Sequence, residues 1–393
     1  MVCSTKLSRF CILLLAAAGW LSGNASAQAG LTPQSPEIRA AVERAKNALV
    51  TTKYVGRTVG YRALTALALV KSGLPKDHGY INQTLEMIKT QYQTLPAPAY
   101  TAVYDTSVCI ILLCALDPVT YQREIKALLD YLLSLQRPFG SFSSPNLPTA
   151  DYGDTSMTQY AILAFWEAEK AGVAVPTERW QLATNWLLRT QTGGGGFAYN
   201  PERISPVEPS HSMTAGGLGS CYIAAARAGV TKAPVKPETP SLPSALQPVV
   251  EKRPPAENNK LGVNTEALQN ALQRGDAWMA ARFQVEVEGY LHYYHYSFER
   301  YSAFREYVEQ RPSPEPAWYD EIARYLLAKQ NPDGSWGSQE NTSFAILFLV
   351  RSTKQSLQAA EVDLAAQGVL IGGRGLPLGA KELEMRSAGR ARR

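Results

Sequence analysis

The sequence predicts an all-α chain in which pairs of helices close into a double-layered ring around a central cavity. Three observations predict it. Helices rich in Leu and Tyr run into a glutamine at Gln91, Gln136, Gln191 and Gln330, and a turn rich in Gly, Pro or Asn follows each. Every turn then gives way to a polar cluster and a helix that is apolar on nearly all faces, as in VCIILLCAL after Asp105 and FAILFLV after Asn341. Strand signals, short runs with period-two alternation, are nearly absent.

Taken in order, the first 27 residues read as an export signal. Lys6 and Arg9 supply the basic start, 10–20 an apolar stretch too short to span a bilayer, and Ala25-Ser26-Ala27 a small-residue cleavage site. Cleavage is expected near Gln28, and with it a secreted or periplasmic mature chain. No cysteine follows the cleavage site, which argues against lipid attachment, and no later run is long and apolar enough for a transmembrane segment. Cys109, Cys114 and Cys221 remain, an odd number, and are expected as buried free thiols. Of the formal charge of +5, the signal accounts for +2. Residues 374–393 account for +4, with six basic residues against two acids, which leaves about −1 for 28–373. A neutral body with a basic tail excludes nucleic acid as the expected partner.

The toroid body is expected over 28–352. Stretches 35–51 and 58–72 form the first helix pair, and the helix ending at Gln91 opens the second. The inner helices of the next units start at polar clusters: Asp105-Thr106-Ser107, Asp154-Thr155-Ser156, His211-Ser212 and Asn341-Thr342-Ser343. Such residues accept hydrogen bonds from the free N–H groups of a first helical turn. The clusters lie 49, 57 and 130 residues apart, and the last interval fits two units plus an insert. The insert is the Pro-rich stretch 232–255, an extended loop within 232–260, followed by helices expected at 264–288 and 290–307. That makes six pairs. Residues 353–393 are expected as a separate C-terminal segment with a basic, solvated tail.

Leu132…Gln136…Gly140-Ser141-Phe142, Leu187…Gln191…Gly195-Gly196-Phe197 and Leu326…Gln330…Gly334-Ser335-Trp336 share one pattern. It resembles the QW motif of the prenyltransferase/squalene-oxidase repeat family, and GDTSMTQYAILAFWEA at 153–168 is similar to an inner helix of squalene–hopene-type cyclases. The resemblance covers most of 36–352 and implies an (α/α)6 toroid. In such a fold the glutamine ends an outer helix and bonds backbone near the next unit, the glycine supplies a left-handed turn, and the aromatic ring packs over the junction.

The activity does not come with the fold. The Asp-x-Asp-Asp motif that protonates squalene is absent, and Asp151-Tyr152-Gly153-Asp154 is the nearest approach. Asp105, Cys109 and His211 have the residue types of a prenyltransferase zinc site but not its spacing, so no metal and no cofactor are expected. The complement-like thioester motif is absent too. Glycine runs 192–197 and 368–379 lack the Gly-Lys-Ser/Thr ending of a phosphate loop.

The candidate catalytic residues are Asp154, Asp105 and His211, which with Asn341 occupy equivalent repeat positions and would converge at one mouth of the ring. Helix capping accounts for the same residue types, His211 least comfortably. Tyr293 and Tyr296, three apart in YLHYYHYSFERY at 290–301, join Asn341 as candidate ligand contacts, with His292 and His295 on the same helix. Such rings stack on a ligand or fill a layer between helices. Three functions stay open. One is an exported binding or scaffold protein for a hydrophobic, isoprenoid-like ligand or a protein partner. Another is a terpenoid cyclase or prenyltransferase. The third is a carbohydrate-active (α/α)6 enzyme, with Asp105 and Asp154 as acid and base. An apolar cavity favours lipid and a polar one sugar.

Overall fold

The computed structural model describes residues 30–52, 58–93, 99–146, 152–202, 207–230, 261–311 and 316–366. The expected signal at 1–27, the insertion 232–260, the Gly-rich run 368–379 and the basic tail lie outside them. The chain divides into two compact units, Met1–Gly30 and Leu31–Arg393.

Among the described residues there are thirteen α-helices, all in the second unit, and no strand. The pairs are α1 (Pro36–Thr51) with α2 (Val59–Lys71), α3 (Gly79–Gln93) with α4 (Ala102–Leu116), and α5 (Gln122–Ser134) with α6 (Thr155–Lys170). Then come α7 (Thr177–Thr190) with α8 (His211–Arg227), α9 (Thr265–Arg282) with α10 (Leu291–Glu309), α11 (Ala317–Lys329) with α12 (Gln339–Leu349), and finally α13 (Ser352–Ala366). The even-numbered helices α2 to α12 each pack on the next, and α12 packs back on α2, which closes the inner ring. Inner and outer helices differ as their sequences require. Helix α4 buries twelve of its fifteen residues, whereas α5 buries only Ile125, Leu128, Leu129 and Leu132, a single stripe at helical spacing. The fold is thus the expected α/α toroid. Cys109, Cys114 and Cys221 form no disulfide among the described residues, and the first and last are fully buried.

The repeated glutamine clamps neighbouring units together. Gln136 Nε2 donates to the carbonyls of Gly140 (2.9 Å) and of Arg179 on α7 (3.0 Å). Gln191 does the same to Gly195 (2.9 Å) and to Ala271 on α9 (2.8 Å), and Gln330 to Gly334 (2.9 Å) and Ala41 on α1 (2.8 Å). In each copy an arginine of the next outer helix, Arg179, Arg274 or Arg44, reaches the glutamine Oε1. The turn glycines have positive φ, from +87° to +105°, and an added Cβ would strike a carbonyl of the next outer helix, 2.0 Å from Leu182 O at Gly140 and 2.3 Å from Arg274 O at Gly195. Both constraints select glycine. Phe142, Phe197 and Trp336 are buried at the three junctions, and their backbone N–H groups donate to Thr158, Thr214 and Thr342 of the inner helix that follows.

Two element boundaries differ from expectation. The helix expected at 264–288 stops at Arg282, where β-branched Val285 and Val287 alternate with glutamates and Gly289 takes φ +91°. The carbonyls of Gln284 and Val285 are held instead by Tyr294 Oη (3.1 Å) and His295 Nε2 (2.7 Å). The next helix runs from Leu291 to Glu309, and Gln310 ends it in the left-handed conformation. Helix α13 lies across the C-terminal ends of the inner helices. Lys71 of α2 donates to Ser356 (2.7 Å), Lys170 of α6 to the Ser356 carbonyl (3.3 Å), and the Lys354 N–H to the buried Glu299 of α10 (3.3 Å). Leu67, Ile111, Leu163 and Leu347 line a small void of about 20 Å³ at that end of the ring.

Gln191→Ala removes three hydrogen bonds at a unit junction, two donated to carbonyls and one accepted from Arg274. We expect a loss of about 2–4 kcal/mol in urea unfolding. A loss below about 0.5 kcal/mol would show that the clamp follows the packing instead of holding it.

Candidate functional site

The other end of the ring opens into a cavity of about 500 Å³, and all six inner helices contribute to its wall. Their contributions come from the first two turns: Gly60 and Leu64, Asp105 and Val108, Ser156 and Tyr160, Met213, Tyr293, and Asn341 and Phe344. The inner helices therefore point their N-termini at this mouth. Seven tyrosines and Phe344 line the cavity, and Asp105 and Glu340 are its carboxylates. The wall is mostly aromatic, with hydroxyl groups interspersed.

The predicted residues fall into different places. Asp105 lines the cavity but does not cap α4, which starts at Ala102 after Thr101. It sits one turn into the helix, where Thr58 Oγ1 donates to one carboxyl oxygen (2.6 Å) and Thr101 Oγ1 to the other (2.9 Å). Gly60 makes room for it, since a Cβ there would lie 2.2 Å from Asp105 Oδ1. Burial pushes the Asp105 carboxyl above the ordinary carboxylate range, against the opposing pull of the two threonine hydroxyls. Asp154 does cap α6, accepting from the Met157 N–H at 3.0 Å. It stands one residue behind the wall. Ser156 Oγ bonds both Asp154 and Tyr104 Oη, and burial raises the Asp154 carboxyl too.

His211 is the first residue of α8, capped by Ser210, and is not in the cavity wall. Its Nε2 meets the Arg282 carbonyl at 2.7 Å, and its ring sits edge-on to Trp278 and Tyr294. Asn341 lines the cavity, while Ser338 is the cap of α12. The shared start expected for these residues is corrected accordingly: of the four, only Asp154 is a cap, because the other three helices start earlier, after Thr101, Ser210 and Ser338. The two serines accept from the Met213 and Asn341 N–H groups, while Thr101 makes no side-chain capping bond. Tyr293 lines the cavity, and Tyr296 lies a turn deeper, stacked on Phe344 at 6.0 Å. His292 and His295 are edge to face at 6.0 Å, and burial pushes both imidazoles down to about 4, so both are neutral at physiological pH. Among the described residues no three His, Cys, Asp or Glu side chains are grouped as metal ligands.

Sequence reasoning passed over Tyr104, Tyr160, Glu340, Gln159 and Arg300. The first three were readable from the stripe i, i+3, i+4 that starts at each inner-helix opening, such as Ser156 to Tyr160 and Asn341 to Phe344. Gln159 and Arg300 carried no local signal. Arg300 is 4% exposed, its Nη2 bonded to Gln159 Oε1 (2.8 Å) and Ser297 Oγ (3.0 Å), its guanidinium carbon 5.0 Å from the Tyr160 ring centre and 4.6 Å from that of Tyr296. Gln159 Nε2 in turn donates to Tyr293 Oη.

A closed ring of paired helices with an open aromatic cavity defines the class, an α/α toroid. No family model matches the chain, and no curated protein matches it in sequence. Among solved structures it is similar to a family 76 glycoside hydrolase from a bovine Bacteroides thetaiotaomicron strain. The TM-score is 0.51 at 9% identity over 83% of this chain and 79% of that one. It is also similar to the type II terpene cyclase MstE from Scytonema, with a TM-score of 0.47 at 11% identity over 82% of this chain and 99% of that one. The same cyclase is known with its product, merosterolic acid A. At these identities the likeness is one of fold.

The raised Asp105 carboxyl has a stability consequence. As pH rises above about 4 the unfolded chain ionises this group first, so it destabilises the fold progressively until the folded carboxyl ionises, and the penalty is constant above that. Asp105→Asn should show a pH-independent offset plus a gain relative to wild type that grows with pH, read from urea midpoints across the acid range. A constant difference between the two proteins at all pH values would overturn this assignment.

Proposed function

We propose that the protein is an exported binding protein whose central cavity takes a hydrophobic, isoprenoid-like small molecule. One observation carries the reading: the six inner helices converge on a cavity of about 500 Å³ walled by aromatic rings, within the size of small-molecule sites generally. Such walls contribute apolar area at low entropic cost, and their hydroxyls give a ligand a few directed contacts. Export rests on the N-terminal pattern, Lys6 and Arg9 before an apolar stretch and Ala25-Ser26-Ala27. Asp105 and Asp154 remain the acid–base candidates within this reading. Asp105 stands in the wall, a carboxyl kept protonated to higher pH by burial, and such a group is suited to donate a hydrogen bond or a proton to a ligand.

A carbohydrate-active enzyme is the second reading. Two carboxylates, Asp105 and Glu340, line one cavity amid seven tyrosines, an arrangement that also suits a sugar.

Native mass spectrometry of the purified protein, before and after solvent extraction and then with added farnesol, separates these readings. The expected result is a stoichiometric hydrophobic adduct. Leu64→Trp, which fills the cavity, is expected to weaken farnesol binding at least about tenfold. Unchanged binding in that variant would put the ligand elsewhere. Failure to bind any isoprenoid, together with release of sugar from an oligosaccharide panel, would overturn the reading in favour of the second.

A further inference from the structure

Arg300 is a buried cation that meets an amide, a hydroxyl and two ring faces, with no carboxylate among them. Its Nη1 has no partner among the described residues. Arg351, likewise buried, stands 3.2 Å from Glu306 and 3.9 Å from Glu299. An uncompensated buried charge is costly, and π faces offset only part of that cost.

The position of Arg300 gives the charge a direction. Its Nη2 fixes the carbonyl end of Gln159, so the amide end of Gln159 faces Tyr293 and donates to its oxygen. With that oxygen already accepting, the Tyr293 O–H is left to donate, and it has no acceptor among the described residues. Burial holds that hydroxyl protonated. Tyr293 is in the cavity wall, and so is Tyr160, whose ring lies against the guanidinium. Among the described residues no Lys, Arg or His lines the cavity itself. Gly216 of α8 permits the arrangement. A Cβ there would lie 2.4 Å from Gln159 Oε1, so glycine lets α6 and α10 join across the helix between them.

We infer that the ligand carries an anionic acid group, a carboxylate, which accepts a hydrogen bond from Tyr293 on the α6–α10 side of the cavity. Arg300 supplies the balancing charge through Gln159 and the Tyr160 ring. The apolar remainder of the ligand lies along Leu64, Val108, Met213 and Phe344. The N-termini of the inner helices, which face the same mouth, favour negative charge there as well. Burial raises the Asp105 carboxyl above the ordinary carboxylate range, which weakens its opposition to an anion. Arg300 and Gln159 are positioning residues, and Tyr293 is the contact.

This inference rests on the binding function proposed above, and the test separates the two. Titration calorimetry would compare farnesoic acid with its methyl ester, on the full chain at a pH where the free acid is ionised. A charge of this kind at the distance of one intervening ring favours the anion by roughly tenfold, so the acid should bind about tenfold tighter than the ester. Arg300→Met and Tyr293→Phe should each bring the ratio close to one. Tyr293→Phe deletes a single oxygen and keeps the test valid if Arg300→Met does not fold. Equal binding of acid and ester by wild type, or a preference that survives Tyr293→Phe, overturns the acid assignment and leaves the cavity reading intact. Binding of neither compound overturns both.

Discussion

The glutamine clamp is the interaction on which the rest of the structure depends. Each clamp ties the end of one outer helix to its own turn and to a carbonyl of the next outer helix. One side chain thereby fixes both the turn shape and the spacing between units. The copy at Gln330 differs only in its target: the outer helix it grips is α1, at the other end of the chain, and it thereby helps to close the ring. Without closure the inner helices would splay, and the cavity at their N-terminal mouths would not be shared by all six. The amide suits the task because its two N–H groups serve two carbonyls at once while its oxygen takes an arginine.

The two ends of the ring differ in kind. At the C-terminal ends of the inner helices α13 covers the lumen, and Glu299, Glu306, Arg351 and Lys354 pair among themselves. At the N-terminal ends the wall is aromatic and open. Charge is concentrated where the ring is closed, and the open end keeps carboxyls raised by burial and tyrosines held protonated. Between them lies Arg300, a cation held by an amide, a hydroxyl and ring faces, which gives the cavity a sign as well as a shape.

Small residues decide which side chains meet. Gly60 admits Asp105, Gly216 admits Gln159, and Gly219 lets the backbone of Tyr301 come within 3.4 Å of where its Cβ would be. In a helix interior glycine costs about 1 kcal/mol relative to alanine, and close approach is the compensation. The run MTAGGLGS on α8 is accordingly what lets α6 and α10 bond across it.

The sequence by itself determined the toroid, its three glutamine turns and the division into apolar inner and amphipathic outer helices. Each of these rests on contacts or dihedral needs within a few tens of residues, and such needs leave a periodic trace. It also placed Asp105, Tyr293 and Asn341 near helix starts. Which side chain caps and which faces the cavity was decided by the tertiary structure. Ala102 and Gln339 begin their helices ahead of the polar clusters, and that offset turns Asp105 and Asn341 toward the lumen. Tyr293 and Arg300 meet Gln159 across 134 and 141 residues of chain. No local pattern records such a meeting, because it exists only once the ring has closed and a glycine between the helices has left room for it.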